Sequence, residues 1–331
     1  MKLASLKANG RDGQLVIVSR DLKIAILATD IAPTLQNAIE NWASVEPALK
    51  ERYDDLNANG AAGKNGVFAF DETVVASPLP RAYQWLDGSA YLSHVELVRK
   101  SRGADMPKSM LEDPLMYQGS SDNFCGPHDP VYVASEDWGT DLEAEIAVIT
   151  DNVPMLTTPQ EAVSHIKLFM LLNDISLRNL IPTELNKGFG FLNGKGVTAF
   201  SPVAVTPDEL GDAWDGQKIN LDLTVHVNGE KLGSPNAATD VYFTLAQLIS
   251  HAARTRNLGA GTVVGTGTIS NHNHETGFCC ISEKRALETI RTGAPVTSFF
   301  KFGDQVRIEM FDAKGQSIFG SINNEIKQYV K

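Results

Sequence analysis

Cysteine is scarce, with three residues in 331: Cys125, Cys279 and Cys280. The last two are adjacent, and a bridge between neighbours closes only a strained ring. A disulfide-stapled fold is thereby excluded, and the thiols are expected to be reduced, in the cytoplasm. No cysteine spacing of the metal-binding type occurs, and neither do internal repeats or low-complexity tracts. No apolar run reaches the length needed to span a bilayer, so no membrane partner is expected. The first residues, Met-Lys-Leu-Ala-Ser-Leu-Lys, run at once into turn formers, so no export leader is expected either. Basic residues are outnumbered 29 to 40, a formal net charge of -11. That balance opposes nucleic acid or an anionic membrane as partner. A small anionic substrate stays compatible with it, because a metal ion and a few arginines reverse the sign locally.

What is present is ordinary for a soluble globular protein: 43% hydrophobic and 21% charged residues. The length suits one large domain and a small one. Residues 2–7, 14–19 and 22–28 are β-prone and are separated by turn formers at 9–13 and 20–21, which predicts a small antiparallel meander. Pro33 opens a helical pattern to about Leu49. Residues 57–66 are rich in Asn, Gly and Ala and read as a linker. The boundary is placed near 75, giving a small N-terminal β domain over 1–75 and a catalytic domain over 76–331. Thr158, Pro159 and Glu161 form a helix start with a capping box. Residues 167–173 read as a buried strand with Asp174 just beyond it, and 245–257 as a helix ending at Gly259. Strands are expected at 219–227, 262–264, 305–311 and 316–319, with turns at Asn228-Gly229 and Lys314-Gly315. The fold class is therefore mostly β (α+β), with a largely antiparallel large domain.

The stretch Thr140–Ile149 alternates. As a strand it puts Leu142, Ala144, Ile146 and Val148 on one face and Glu143, Glu145, Ala147 and Ile149 on the other. The two carboxylates then stand about 7 Å apart along the strand. They repel and lose hydration unless water or a cation compensates them. An exposed strand end answers that problem; so does a site for a hard cation, whose preferred ligands are carboxylate oxygens. Asp87, in loop-like residues 85–89, is a turn former or a ligand. Asp174 is a ligand or the cap of a helix over 175–178. His94, in a helical run over 92–100, can act as a general base if a carboxylate such as Glu283 orients it. Residues 265–270, Gly-Thr-Gly-Thr-Ile-Ser, look like a phosphate loop, but no helix follows, and small residues there also let backbone N–H groups approach a substrate. His272 and His274 are a zinc-type pair or part of a polar loop. Lys195, between loop glycines, is solvated or a cation beside a metal.

Taken in order, these segments resemble the fumarylacetoacetate hydrolase family, in its bacterial type with a small N-terminal β domain. The resemblance runs from about Trp85 to Asn324. It rests on Asp87 with His94 seven residues later, Asp-Leu-Glu-Ala-Glu at 141–145 and Leu-Asn-Asp-Ile-Ser-Leu-Arg at 172–178. The Lys195 loop ending in Phe-Ser-Pro202, Gly-Thr-Gly-Thr-Ile-Ser at 265–270 and Phe-Gly-Asp304 complete the series. The resemblance implies a β-roll of mixed sheets, commonly dimeric, and a metal, Mg²⁺ or Ca²⁺ with Mn²⁺ as a further choice, held by Asp87, Glu143, Glu145 and Asp174. Lys195 and Thr198 would lie at the metal site, with His94 as base, Glu283 as its partner and Lys195 in catalysis. Ser89, Arg102, Tyr117, Arg178, Gly267 and Thr268 would face substrate. Ser89, Ile181 and Leu185 depart from the Tyr, Gln and Tyr of fumarylacetoacetate-cleaving relatives.

These residues suit a metal-dependent hydrolase cleaving a C–C bond in a small β-diketo acid of the fumarylacetoacetate or acylpyruvate type, as in aromatic amino acid catabolism. Water would be activated by the His94–Glu283 dyad and the enolate stabilised by the metal. Two other readings stay open. One is an isomerase, hydratase or decarboxylase acting on a 2-oxo or 2-hydroxydienoic acid. The other is a non-catalytic metabolite-binding protein.

Overall fold

Residues 166–177 carry apolar side chains on both alternating faces, the pattern of a strand covered on both sides. They form the long central strand, Ile166–Leu177. The structure, a computed structural model, describes residues 1–8, 10–60 and 66–331. Among these, a twelve-stranded mixed sheet runs in the order Val67–Ala69, Ile24–Leu27, Gly10–Val18, Lys2–Ala8, Ala204–Val205, Ile166–Leu177, Ala144–Thr150, Thr262–Gly265, Gln84–Gly88 and Met116–Gly119. Lys195–Phe200 and Thr140–Asp141 pair with the central strand off this path. A five-stranded sheet follows the order Glu230–Gly233, Leu223–Val227, Gln305–Met310, Ile322–Gln328 and Val131–Val133. Pairing is antiparallel except between Thr262–Gly265 and Gln84–Gly88 and between Ile322–Gln328 and Val131–Val133. The protein is mostly β (α+β), a roll of mixed sheets, and its N-terminal meander extends the larger sheet.

The alternation of 140–149 survives a break at residues 142–143, which splits it into Thr140–Asp141 and Ala144–Thr150. Leu142, Ala144, Ile146 and Val148 enter one core cluster. Ala147 and Ile149 enter a second, with Trp85, Leu168, Met170, Leu172 and Phe200 of neighbouring strands. Leu35, Ile39, Trp42, Leu49, Tyr53 and Leu56 of the N-terminal helices close that second cluster. Each such side chain, fully buried, contributes about 1.5–3 kcal/mol. Stepping by twos from these apolar residues reaches Asp87, Glu145 with Glu143, and Asp174. One sheet face thus has a hydrophobic half under the helices and an acidic half beyond them.

Several expected boundaries move. The first hairpin is tighter than expected, with Gly10–Gly13 inside the second strand and residue 9 outside the described residues. The N-terminal helical pattern breaks at Asn41 and continues as Trp42–Asn59, because Leu49, Tyr53 and Leu56 keep a buried stripe past Leu49. The expected linker is therefore helical at 57–59, while 61–65 lie outside the described residues. The capping box of Thr158 and Glu161 is present. The later helix stops at Ala252, because Asn257 accepts from the Met155 backbone and Leu258 pairs with Val153. Residues 316–319 contribute a single bridge, Phe311 to Ser317, and the strand Ile322–Gln328, paired on both sides, was not anticipated.

Candidate metal centre and active site

Three local expectations change with the fold. Asp87 is no turn former; it sits in the strand Gln84–Gly88. Asp174 caps no helix; it is inside the central strand, opposite Thr198. Lys195 is no solvated loop lysine; it opens the strand Lys195–Phe200 and is buried. The strand order brings these residues to Glu143 and Glu145. One carboxylate oxygen from each of Asp87, Glu143, Glu145 and Asp174 lies within 4.8 Å of the others.

The acids are tied in by named partners. Lys195 Nζ pairs with Glu143 Oε2 and lies 2.6 Å from Asp174 Oδ2. Thr198 Oγ1 donates to Asp174 Oδ1 at 3.0 Å, and the Tyr117 hydroxyl donates to Asp174 Oδ2. Arg178 reaches Asp141 through Nε at 2.8 Å and Glu143 through Nη1 at 2.7 Å, leaving Nη2 buried without a partner. The Gly267 N–H donates to Asp87 Oδ1 at 3.0 Å. Glu145 is the exception: both its oxygens are buried without an aligned hydrogen bond, although Asp87 is near enough to share a proton.

That arrangement lacks positive charge. Asp87, Asp141, Glu143, Glu145 and Asp174 are buried, and the cations among them are Lys195 and Arg178. Burial, with Asp174 beside it, pushes the Asp87 carboxyl up to about 8. Burial and then Asp87 raise Glu145 well above the carboxylate range. Burial alone would raise Glu143 too, but Lys195 and Arg178 outweigh it and hold that group at about 2. Lys195 is raised despite burial by Asp174 and Glu143, so it serves as a counter-charge and has no lone pair for a metal. An all-oxygen set with one orphaned carboxylate fits a hard divalent cation.

A pH dependence follows. The folded metal-free protein keeps protons on Asp87 and Glu145 that the unfolded chain, with carboxyl pKa values near 4, gives up. These groups stabilise the fold fully below about pH 4, and that contribution is lost as pH rises through about 8 for Asp87. A divalent cation must displace the same protons, so its binding at pH 7 should release protons and tighten with rising pH. Titration calorimetry in buffers of different ionisation enthalpy reads this directly; a buffer-independent heat would contradict it.

His94 lies on the helix Leu92–Lys100, with Nδ1 3.2 Å from Glu283 Oε1. The two are in contact range but not aligned for a hydrogen bond. Glu283 is in the first turn of Ile281–Thr292, a helix capped by the Cys280 thiol. Asp141 fixes that helix start, accepting from the backbone N–H groups of Ile281 and Ser282 at 2.8 and 2.9 Å while holding Arg178. This role of Asp141 goes beyond the sequence reading, although Asp141 is the first acid of the same alternating run. That reading missed Glu184, whose carboxylate accepts from the N–H groups of Leu192, Asn193 and Gly194 and shapes the turn before Lys195. No sequence spacing marks that role.

A cavity of about 440 Å³ opens over this cluster, lined by Asp87, Glu143, Lys195 and His94 and by the expected Ser89, Arg102, Tyr117, Arg178, Gly267 and Thr268. Cavities of about 300 Å³ near His251 and about 500 Å³ near Arg20 do not include these acids. His272 and His274 form no metal-binding group among the described residues. His272 pairs with Glu96 and Asp240 on the surface. The glycine-rich segment after Thr262–Gly265 leads into no α-helix until Ile281 and turns its Gly267 N–H to Asp87. Gly267 has φ +75°, and a Cβ there would stand 2.3 Å from the Gly88 carbonyl. Gly267→Ala should cost at least about 1–2 kcal/mol from backbone strain alone, read as a lower denaturation midpoint. An unchanged midpoint would show that the turn relaxes freely.

Comparison with known proteins agrees with this geometry. The family model described as fumarylacetoacetate (FAA) hydrolase C-terminal matches residues 84–327. That of fumarylacetoacetase N-terminal domain 2 matches residues 1–81. A 2,4-didehydro-3-deoxy-L-rhamnonate hydrolase of Sphingomonas sp. (strain SKA58) is 32% identical over 159 residues, 47% of this chain and 53% of that protein. The chain spans about half the length of the curated relatives it matches. Among solved structures, maleylpyruvate hydrolase from Sphingobium sp. SYK-6, in complex with manganese(II) and pyruvate, has the same fold at TM-score 0.64 and 16% identity, covering 100% of both chains. A 5-carboxymethyl-2-hydroxymuconate delta-isomerase from Mycobacterium smegmatis does so at TM-score 0.59 and 17% identity, covering 99% of this chain and 100% of its own. With the family model spanning the whole acidic cluster and the dyad, this chain belongs to the fumarylacetoacetate hydrolase family.

Proposed function

We propose that the protein is a metal-dependent hydrolase that cleaves a C–C bond in a small β-diketo acid of the acylpyruvate type. The observation that carries this reading is a cluster of four buried carboxylates and a histidine–glutamate pair that open on one cavity through Asp87, Glu143 and His94. Asp87, Glu143, Glu145 and Asp174 would hold Mg²⁺ or Ca²⁺; Mn²⁺, present in the Sphingobium neighbour, suits the same oxygens. When bound, such an ion supplies Lewis-acid polarisation of a carbonyl and charge compensation for an enolate.

The chain's own groups supply the rest. Glu283, facing Nδ1, selects the His94 tautomer whose other nitrogen accepts a proton from water. Hydroxide adds to the acyl carbonyl remote from the carboxylate. The bond from that carbon to the methylene then breaks, and its electron pair stays on the methylene side as the enolate of pyruvate. The proton held by His94 is transferred to the former methylene carbon, giving a carboxylic acid and pyruvate. Lys195, fixed between Glu143 and Asp174, keeps positive charge at the cavity floor where the enolate develops. Thr198 and Tyr117 hold Asp174 in place. The small and large domains proposed from the sequence and a homodimer, testable by light scattering, belong to the same reading.

The test is a panel assay. Mg²⁺-loaded protein is incubated with acetylpyruvate, fumarylacetoacetate and a 2-hydroxydienoic acid, following loss of enol absorbance and identifying products. Pyruvate and acetate from acetylpyruvate are expected; cleavage of fumarylacetoacetate would show as fumarate and acetoacetate. A shifted double bond or carbon dioxide would replace this reading with an isomerase or decarboxylase. Tight binding without any product would leave a metabolite-binding protein.

A further inference from the structure

We propose that the substrate carries an apolar alkyl or aryl group, and no second carboxylate, at the end remote from its metal-facing head. This rests on the diketo-acid reading above and names the substrate class of the same site. The cavity is chemically two-sided. Its floor holds Asp87, Glu143 and Lys195, whereas Ile181, Leu185, Phe191, Leu115, Val95 and Val98 make its walls mostly apolar.

The apolar wall begins at the edge of the acid cluster, with no polar interval between them. A Cβ on Gly194, next to Lys195, would lie 2.6 Å from Ile181 Cγ1, so Ile181 packs directly over the turn that presents the lysine. Phe191 meets Tyr117 edge-on with ring centroids 5.2 Å apart, and Tyr117 donates to Asp174. A ligand seated on the floor therefore extends at once between Ile181 and Phe191. Farther out, Leu185 is 47% and Leu115 50% exposed. These are large side chains left to water on both sides of the opening, where an apolar ligand group would cover them.

The placement of charge points the same way. Arg178 is held by Asp141 and Glu143 through Nε and Nη1, which keeps its remaining donor, Nη2, at the acidic end of the cavity beside Glu143. Arg99, in the last turn of the helix Leu92–Lys100, and Arg102, just beyond it, also line the cavity, and Arg99 Nε donates to the Asp105 carbonyl at 2.8 Å. The stretch from Ile181 to Phe191 lines the cavity with no charged side chain. A second carboxylate placed there would lose its hydration with nothing to replace it.

N-alkyl oxamates test this without requiring turnover, because they carry a 2-oxo-acid head and no cleavable C–C bond of the diketo type. Binding of oxamate, N-butyl, N-hexyl and N-(3-carboxypropyl) oxamate to the Mg²⁺-loaded protein is measured by calorimetry. Each fully buried methylene is worth about 4-fold in affinity, so with about half of the hexyl chain buried N-hexyl oxamate should bind about 50-fold tighter than oxamate. The carboxypropyl compound should bind more weakly than N-butyl. In Ile181→Gln and Leu185→Gln the hexyl-to-oxamate ratio should fall about 10-fold, with folding checked by unchanged melting. A flat series, or tightest binding by the carboxypropyl compound, overturns the proposal. A retained chain-length trend without hydrolysis of any acylpyruvate overturns only the proposed reaction.

Discussion

Glu145→Gln should yield a protein that folds at least as well as its parent and no longer gains stability from a divalent cation. The reason lies in what surrounds Glu145. Both of its oxygens are buried without an aligned partner, and burial with Asp87 beside it keeps the metal-free carboxyl protonated. A glutamine of the same shape never has to ionise there, so the metal-free fold loses nothing. The variant cannot supply the anionic oxygen that a hard cation prefers, and its metal affinity should fall at least about 100-fold. At a metal concentration 100 times its dissociation constant the parent should gain about 2.7 kcal/mol, and the variant close to none. Melting curves with and without Mg²⁺ read both parts. A metal-induced rise equal to the parent's would remove Glu145 from the site.

His94→Ala should separate chemistry from metal binding. A positioned general base contributes about 10²- to 10⁴-fold, and kcat on an accepted acylpyruvate should fall by that factor. Metal affinity should stay within a few-fold, because His94 approaches Glu283 on a helix and is not one of the four acids whose oxygens converge. Glu143→Ala gives the contrasting result. It removes a ligand and leaves Lys195 with only Asp174 and Arg178 with only Asp141, so activity and metal affinity should fall together. Undiminished turnover by His94→Ala would sink the role assigned to His94. Loss of metal binding in that variant would place the imidazole at the ion.

Much of this site is legible in local pattern, and what is not follows a rule. The alternation that put Glu143, Glu145, Ala147 and Ile149 on one face is a property of neighbouring residues, and Ala147 and Ile149 do share a core cluster. The helix start at Thr158 and the helical run around His94 are equally local and are present. Asp87 and Lys195 read as turn and loop residues because turn-prone neighbours surround them, and Asp174 as a cap because it follows an apolar run. Their strands exist through pairing with Thr262–Gly265, Ala144–Thr150 and each other, which outweighs local propensity. The roles of Asp141 and Glu184 were missed because these residues satisfy backbone N–H groups of segments distant in sequence or shaped only on folding.

By itself the sequence determined the residue types and their alternation: carboxylates at 87, 143, 145 and 174, a histidine at 94, and strands in which every second side chain shares a face. It also carried the family resemblance, because the order of its motifs is a property of the chain. The tertiary structure alone decided that the four acids meet. Asp87 lies two strands from the strand of Glu145, about 10 Å at ordinary strand spacing, and between them Gly265 stands in register with Asp87 on one side and with Ala147, two residues from Glu145, on the other. A Cβ on Gly265 would sit 3.0 Å from Asp87 Oδ1 and 2.4 Å from the Trp85 ring. The gap that lets the carboxylates converge is therefore made by a missing side chain and by sheet order, and neither can be seen from the spacing of residues along the chain.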